Sequence, residues 1–218
     1  MIGWSQMNPE LLKPGAITSI EKQKNNKNRV SLFIDGEFRF GIDEEIIARQ
    51  NLRVGDHIAS EKLSFIIEQE EFRKALSSAY AILARRARSV AEVQEKLLNF
   101  GYHALVVEKV VEKLKVDNYL DDRQFAQSFS RSRLASKPMG KMLLLQEIRK
   151  RQVPQTMAET VVEEIYSLNP EQELAEKALL KKEKSYQGVD PEVSRQKKIR
   201  FLKNRGFSWE TIRNVLNF

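Results

Sequence analysis

With 218 residues, 41% of them hydrophobic, the chain can bury one large or two modest cores, and its 31% charged content points to thin ones. Cysteine is absent, which excludes disulfides and thiolate metal sites and fits a reducing cytoplasm. A net charge of +7 favours a polyanionic partner, either nucleic acid or an acidic protein surface.

No apolar run approaches the roughly 20 residues that cross a bilayer, and Met1-Ile2-Gly3-Trp4-Ser5 lacks the basic-then-apolar texture of an export signal. Residues 1–62 read as a small β-rich domain containing a hairpin. Ile17-Thr18-Ser19-Ile20 and Val30-Ser31-Leu32-Phe33-Ile34 are β-branched and apolar, and Glu37-Phe38-Arg39-Phe40-Gly41-Ile42 alternates charged with apolar. Asp35-Gly36 between the last two runs tolerates the positive φ of a type I′ turn. Lys22 to Asn28 reads as a polar, basic connection, either a solvated loop or a finger that touches phosphates. Asp43 is placed to cap a short helix through Arg49, and Leu52-Arg53-Val54-Gly55-Asp56 reads as a return turn.

From about Ser64 the pattern is helical, and a unit of about fifty residues recurs three times. Its anchors are Gly101, Gln152 and Gly206, each preceded at four positions by Leu97, Ile148 or Leu202 and followed by the apolar pairs Val110-Val111, Val161-Val162 and Val215-Leu216. The expected fold is mainly α: a tandem array of three three-helix repeats, over 63–116, 117–168 and 169–218, behind the β-rich domain. In the first, Phe72, Leu76, Ala79, Tyr80, Leu83 and Ala87 form a helical stripe, Ser89-Val90-Ala91-Glu92 a capping box, and Gly101 a left-handed stop. A third helix carries Val106, Val107, Val110, Val111 and Leu114. In the second, Asp121 caps a helix bearing Phe125 and Phe129, while Pro138 and Pro154 sit at first helical positions. The third opens at Pro170, continues from Asp190-Pro191 and closes from Ser208-Trp209, with a longer, mobile loop over Ser185–Val189.

Enzymatic motifs are missing. The nine glycines form no phosphate-cradling loop, and His57 and His103 stand in different domains without a ligand set. Asp121-Asp122 reads as a helix cap with a solvated neighbour, and Phe125, Phe129, Phe201, Phe207 and Trp209 as core rather than base-stacking platforms. No cofactor or metal is implied. The basic residues carry more. Lys197, Arg200 and Lys203 fall on one helix face opposite Ile199 and Leu202. Arg85, Arg86 and Arg88 end the first helix of the first repeat. Arg131, Arg133, Lys137 and Lys141, then Lys177, Lys181, Lys182 and Lys184, occupy the corresponding bends of the other two. One cation per helix C-terminus complements the macrodipole. Three or four at each bend exceed that, and read either as a basic stripe that meets a polyanion or an acidic partner or as ordinarily solvated charge.

Asn118-Tyr119-Leu120-Asp121-Asp122-Arg123-Gln124-Phe125-Ala126 resembles the hallmark segment of the bacterial RecX family of recombinase regulators. Arg88-Ser89 with Glu92, Lys96 and Leu97, the Pro138-x-Gly140 helix entry, and Phe201-Leu202-x-x-Arg205-Gly206-Phe207 with Ile212 are similar to its other signatures. The likeness covers roughly residues 70–217 and stops short of the β-rich domain, which looks like an extension seen in part of the family. The resemblance implies a protein of the bacterial cytoplasm that binds the filament of the RecA recombinase, and a monomer is expected. It further implies restraint of recombinase ATPase, strand exchange and coprotease activities, with no catalytic residues of its own. Some members also bind DNA, so competition for single- or double-stranded DNA stays open as a second reading. One departure is Gln152, where a glycine is usual. A positive φ there costs on the order of 1 kcal/mol.

Overall fold

The structure, a computed structural model, describes residues 9–24 and 26–218; the first five residues, on which the reading of no export signal rests, lie outside them. Two compact units make up the chain. One comprises the residues up to Arg86 together with Val93–Val116, and the other Ala87–Glu92 with Asp117–Phe218.

In the first unit the strands β1 (Gly15–Gln23), β2 (Asn26–Ile34), β3 (Glu37–Asp43) and β4 (His57–Ile58) form an antiparallel sheet in the order β3-β2-β1-β4. Alternation along β2 buries Val30, Leu32 and Ile34, and these meet Ile17, Ile42 and Ile58 in one core. Asp35 (φ 52°) and Gly36 (φ 83°) make the left-handed turn their sequence demands. The polar stretch from Lys22 to Asn28 is shorter as a loop than expected. β1 runs to Gln23 and β2 starts at Asn26, because polar side chains cost nothing at the exposed end of a two-stranded ladder. Asp43 caps α1 (Glu44–Arg49) by accepting the Glu45 N–H at 3.0 Å, and Gly55 (φ 97°) turns the chain into β4.

A single helix, α2 (Ser60–Leu83), leaves the sheet. Its first turns give Leu63 and Ile66 to the sheet's core. Next along it, Glu70 is buried beneath Arg29 of β2 and accepts the Asp43 N–H at 3.0 Å, with Lys74 Nζ at 3.2 Å. Burial alone would raise the Glu70 pKa, but the hydrogen bonds from Arg29 and Asp43 and the charges of Lys74 and Arg29 hold it below the ordinary glutamate value. Farther on, the buried face is Ala75, Ala79 and Ile82; Phe72, Leu76, Tyr80 and Leu83 lie half-buried beside it. The stripe is rotated from the expected one, and Ala87, exposed and beyond the helix end, does not belong to it. Small side chains at 75 and 79 bring α2 against α4 (Ala104–Val116), which buries Val106, Val107, Val110, Val111 and Leu114.

The second unit repeats this plan. Its helices are α5 (Asp122–Ser136), α6 (Lys141–Arg149), α7 (Gln155–Leu168), α8 (Glu171–Leu180), α9 (Pro191–Asn204) and α10 (Trp209–Leu216). First packs on third in each repeat: α2 on α4, α5 on α7, α8 on α10. Side-chain caps start α5 (Asp121), α9 (Asp190) and α10 (Ser208). Neither Pro138 nor Pro154 takes the first helical position expected of it, whereas Pro191 opens α9. Pro154 and Pro170 sit one residue earlier, at the cap, and Pro138 precedes the Gly140 cap of α6. The long connection before α9 holds a 3-10 turn at Glu183–Tyr186. The remaining helix, α3 (Val90–Asn99), starts in the second unit and continues in the first. Its capping box is formed, with the Glu92 N–H 3.1 Å from Ser89 Oγ and the Ser89 N–H 3.4 Å from the Glu92 carboxylate.

The three anchors are left-handed helix stops, at φ 86° for Gly101, 62° for Gln152 and 74° for Gly206. Their N–H groups bond the carbonyls of Leu98, Arg149 and Lys203 at 2.8, 2.8 and 2.9 Å, and the N–H groups of Tyr102 and Phe207 reach Leu97 and Leu202 at 3.3 Å. This is the Schellman arrangement, which wants an apolar residue at each end of the longer bond. Hence Leu97, Ile148 and Leu202 stand four positions ahead, and all are buried.

Within the second unit each stop receives the start of an earlier helix. The Ser89 hydroxyl donates to the Arg151 carbonyl at 2.5 Å, while the Val90 N–H donates to Asp122 at 2.8 Å. One repeat later the Gly140 N–H donates to the Arg205 carbonyl at 2.8 Å, and the Lys141 N–H to Glu171 at 2.9 Å. Approach is closest at Gly140, where a Cβ would lie 1.9 Å from the Gly206 carbonyl oxygen. Glu171 also accepts from the Ser208 N–H and the Thr211 hydroxyl. Burial would raise its pKa, but these bonds hold it below the ordinary value. Asp122 is therefore no solvated neighbour of a cap, as the sequence suggested, but the acceptor for the first N–H of α3.

Candidate interaction surface

Cations at helix ends can neutralise local carbonyls or acids or stand free in solvent, and the structure separates the basic residues on that ground. Lys181 lies over the C-terminus of α5, donating to the Ala135 and Ser136 carbonyls at 2.9 and 3.1 Å. Arg133 pairs with Glu147, Lys141 with Glu163 and Lys177 with Glu173. Lys182 sits 5.1 Å from the Phe201 ring centroid. Arg88 is half-buried at the start of the second unit, whereas Arg85 and Arg86 are exposed at a boundary of the first.

Two groups face water. On α9, Lys197, Arg200 and Lys203 are exposed at spacings of three, with Ile199 and Leu202 turned inward. Among the described residues none of the three has an ion pair. The second lies at a depression of about 280 Å³ above Leu134, Ile165 and Leu174, where Arg131 is exposed beside Lys177 and Lys181, the two already engaged by Glu173 and the α5 carbonyls. Lys137 is exposed at the end of α5, and Lys184 within the 3-10 turn.

The aromatics divide as well. Phe125 and Phe207 are buried, and Phe129 and Phe201 are half-buried, each with an arginine guanidinium over its ring (Arg151 at 5.4 Å, Arg205 at 5.0 Å). Trp209 is the correction. At the first residue of α10 its side chain points off the core, 53% exposed and edge-on to Phe218 at 5.7 Å. His103 accepts the Leu105 N–H and His57 lies exposed in β4. Among the described residues no helix is long and apolar enough to cross a membrane, and no cluster of His, Asp or Glu is arranged to hold a metal ion. Sequence reasoning missed Glu70 and Glu171. The second had a usable signal, since it opens the first helix of its repeat as Asp122 opens α5.

Three-helix repeats joined through helix starts and left-handed stops, behind a small antiparallel sheet, define a helical-repeat protein. Family models match in order: the regulatory protein RecX N-terminal domain over 15–59, and the first, second and third three-helix domains of RecX over 75–114, 121–162 and 170–216. The chain belongs to the RecX family. The match to the N-terminal domain carries the likeness farther than the sequence motifs did, into the β sheet. The regulatory protein RecX of Clostridium beijerinckii is 32% identical over 157 residues, covering 72% of this chain and 71% of its own. That of Clostridium tetani is 29% identical over 212 residues, covering 94% of both. Among solved structures, a regulatory protein RecX superposes with a TM-score of 0.71 at 23% identity over 93% of this chain and 99% of its own. RecX from Lactobacillus salivarius does so at 0.61 and 19%, over 68% and 96%.

Proposed function

We propose that this protein regulates the RecA recombinase by binding its DNA filament, and that it restrains recombinase ATPase, strand exchange and coprotease activities without chemistry of its own. The observation that carries the reading, in a chain of this family, is the unpaired cation row of α9. A solvated helix ordinarily offsets its cations with acids three or four residues away, as Lys177–Glu173 and Arg195–Glu192 do here. Lys197, Arg200 and Lys203 forgo that and offer positive charge to an external anion. A regulator acts by differential affinity for one state of its target, and contacts that span recombinase subunits or DNA would supply it in the bacterial cytoplasm.

The test is the triple charge reversal K197E/R200E/K203E. Filament binding should weaken at least tenfold while the helical circular dichroism stays unchanged; unaltered affinity removes α9 from the interface. Recombinase ATPase on single-stranded DNA, titrated with the protein under DNA excess, separates the targets. Substoichiometric inhibition supports action on the filament. Inhibition only once DNA is saturated, with a salt slope that counts phosphate contacts, makes DNA itself the target.

A further inference from the structure

Three places after each anchor stands the first residue of the repeat's third helix, and it is exposed in all three: Ala104 in α4, Gln155 in α7, Trp209 in α10. The fold therefore asks nothing large or apolar of this position, and Ala104 shows that a methyl group suffices there. A lone exposed apolar side chain would need no explanation, but Trp209 is not alone. The Phe218 ring, 41% exposed, meets it 5.7 Å away at an interplanar angle of 71°, and the Arg195 guanidinium lies over the same phenyl ring at 4.4 Å. With the rings crossed, Phe218 covers at most one face of the indole, and ring surface is left open to a ligand. Arg213 follows Trp209 by four residues, the spacing that puts two side chains on one helix face. Among the described residues it has no ion pair.

The charge around these rings is one-sided. From Asp190 to Phe218 seven lysines and arginines stand against three acids, so this stretch carries +4 of the chain's net charge of +7. Of the three acids, Asp190 is spent on capping α9 and Glu192 lies 3.9 Å from Arg195, which leaves Glu210 on α10.

A partner that suits this surface has to use both the cations and the ring. An acidic protein surface would use the cations and not the indole, whose faces carry the negative end of its quadrupole. A DNA duplex would also meet the cations, but its base faces are stacked away inside the helix. A single strand offers phosphates and unstacked π faces together.

We propose that Trp209 is a stacking platform for one base of single-stranded DNA, with the neighbouring phosphates meeting Arg213 and the cation row of α9. Phe218 holds the indole in place, and Arg195 acts through Phe218. The proposal deepens the filament reading by naming what the third repeat touches, and it rests on that reading for DNA in preference to RNA.

The sequence has two tryptophans, Trp4 and Trp209, so in a Trp4→Phe protein the indole emission reports on Trp209. An oligo-dT of about twelve nucleotides should quench that emission. An abasic oligonucleotide of the same length, which keeps the phosphates and lacks the bases, should not. Trp209→Ala gives the third repeat the residue that the first already uses, and should leave the circular dichroism unchanged. Read by the anisotropy of labelled oligo-dT, it should weaken binding about fivefold or more, the lower end of what one lost base stack costs. Trp209→Phe keeps a ring and should recover most of the affinity. Equal affinity of the alanine variant and the parent protein, quenching by the abasic strand, or tighter binding of oligo-U than of oligo-dT would each overturn the assignment. So would an indole that ignores oligo-dT and responds to recombinase protein without DNA, which would make Trp209 a protein contact. None of these outcomes decides the ATPase titration, so failure here leaves the regulatory reading standing.

Discussion

At Gln152 the backbone holds a left-handed φ of 62° that its counterparts Gly101 and Gly206 hold without a Cβ. An L side chain there crowds the following carbonyl, at a cost of about 1 kcal/mol. Part of that is returned because glycine loses more chain entropy on folding. Gln152→Gly should therefore stabilise the protein by up to about 0.5 kcal/mol, read as a small rise in the urea midpoint at constant slope. Sequence disclosed this position because the repeat set Gln152 beside two glycines, and a stop of this kind is a local matter of φ. Trp209 was not disclosed. Whether a bulky residue at the first position of a helix turns inward depends on packing beyond its own turn, and Trp209 ends against Phe218, past the other end of α10.

The helices of the second unit are joined by backbone donors that end on carboxylates, and this gives the joint a pH dependence. The Glu171 pKa lies below its ordinary value in the folded state, so the unfolded chain takes up a proton first as pH falls. Its contribution is complete above the ordinary glutamate pKa of about 4.3 and is lost as pH drops through the depressed folded value. Glu70 follows the same course in the first unit. Urea midpoints measured from pH 6 down to pH 3 should decline, and Glu171→Gln should flatten part of that decline. At neutral pH the same variant should lose about 1–2 kcal/mol, the share of hydrogen bonds to a charged acceptor. A sequence shows the helix starts, since Asp121, Asp190 and Ser208 lie beside what they cap. It conceals Glu171 and Asp122 as acceptors because their donors, at Lys141 and Val90, are about thirty residues away. The basic residues divide for the same reason. Lys181 faces Ala135 and Ser136 rather than a partner, a pairing that composition and spacing leave open.

At the scale of the whole molecule, the three repeats and the two units are different partitions of one chain. The turn Ala87–Glu92 belongs by sequence to the first repeat and by packing to the second unit, where Asp122 and Arg151 hold it. Native-state hydrogen exchange should show two cooperative blocks, with the Val90 amide exchanging alongside buried positions such as Ile148 and Val161 and not with Leu97 or Val110. A single block would mean that the units open together. The chain crosses between units three times, after Arg86, inside α3 and after Val116. A chimera spliced at Val116 with a homologue's remaining sequence would thus inherit foreign counterparts of Asp122 and Arg151 while keeping the native Ser89 and Val90 that must fit them. Shuffling, which treats folded bodies as cassettes, has no single cut to use here. The repeats can be counted like beads, but the two bodies are laced by one helix and must be exchanged, or must drift in sequence, as a pair.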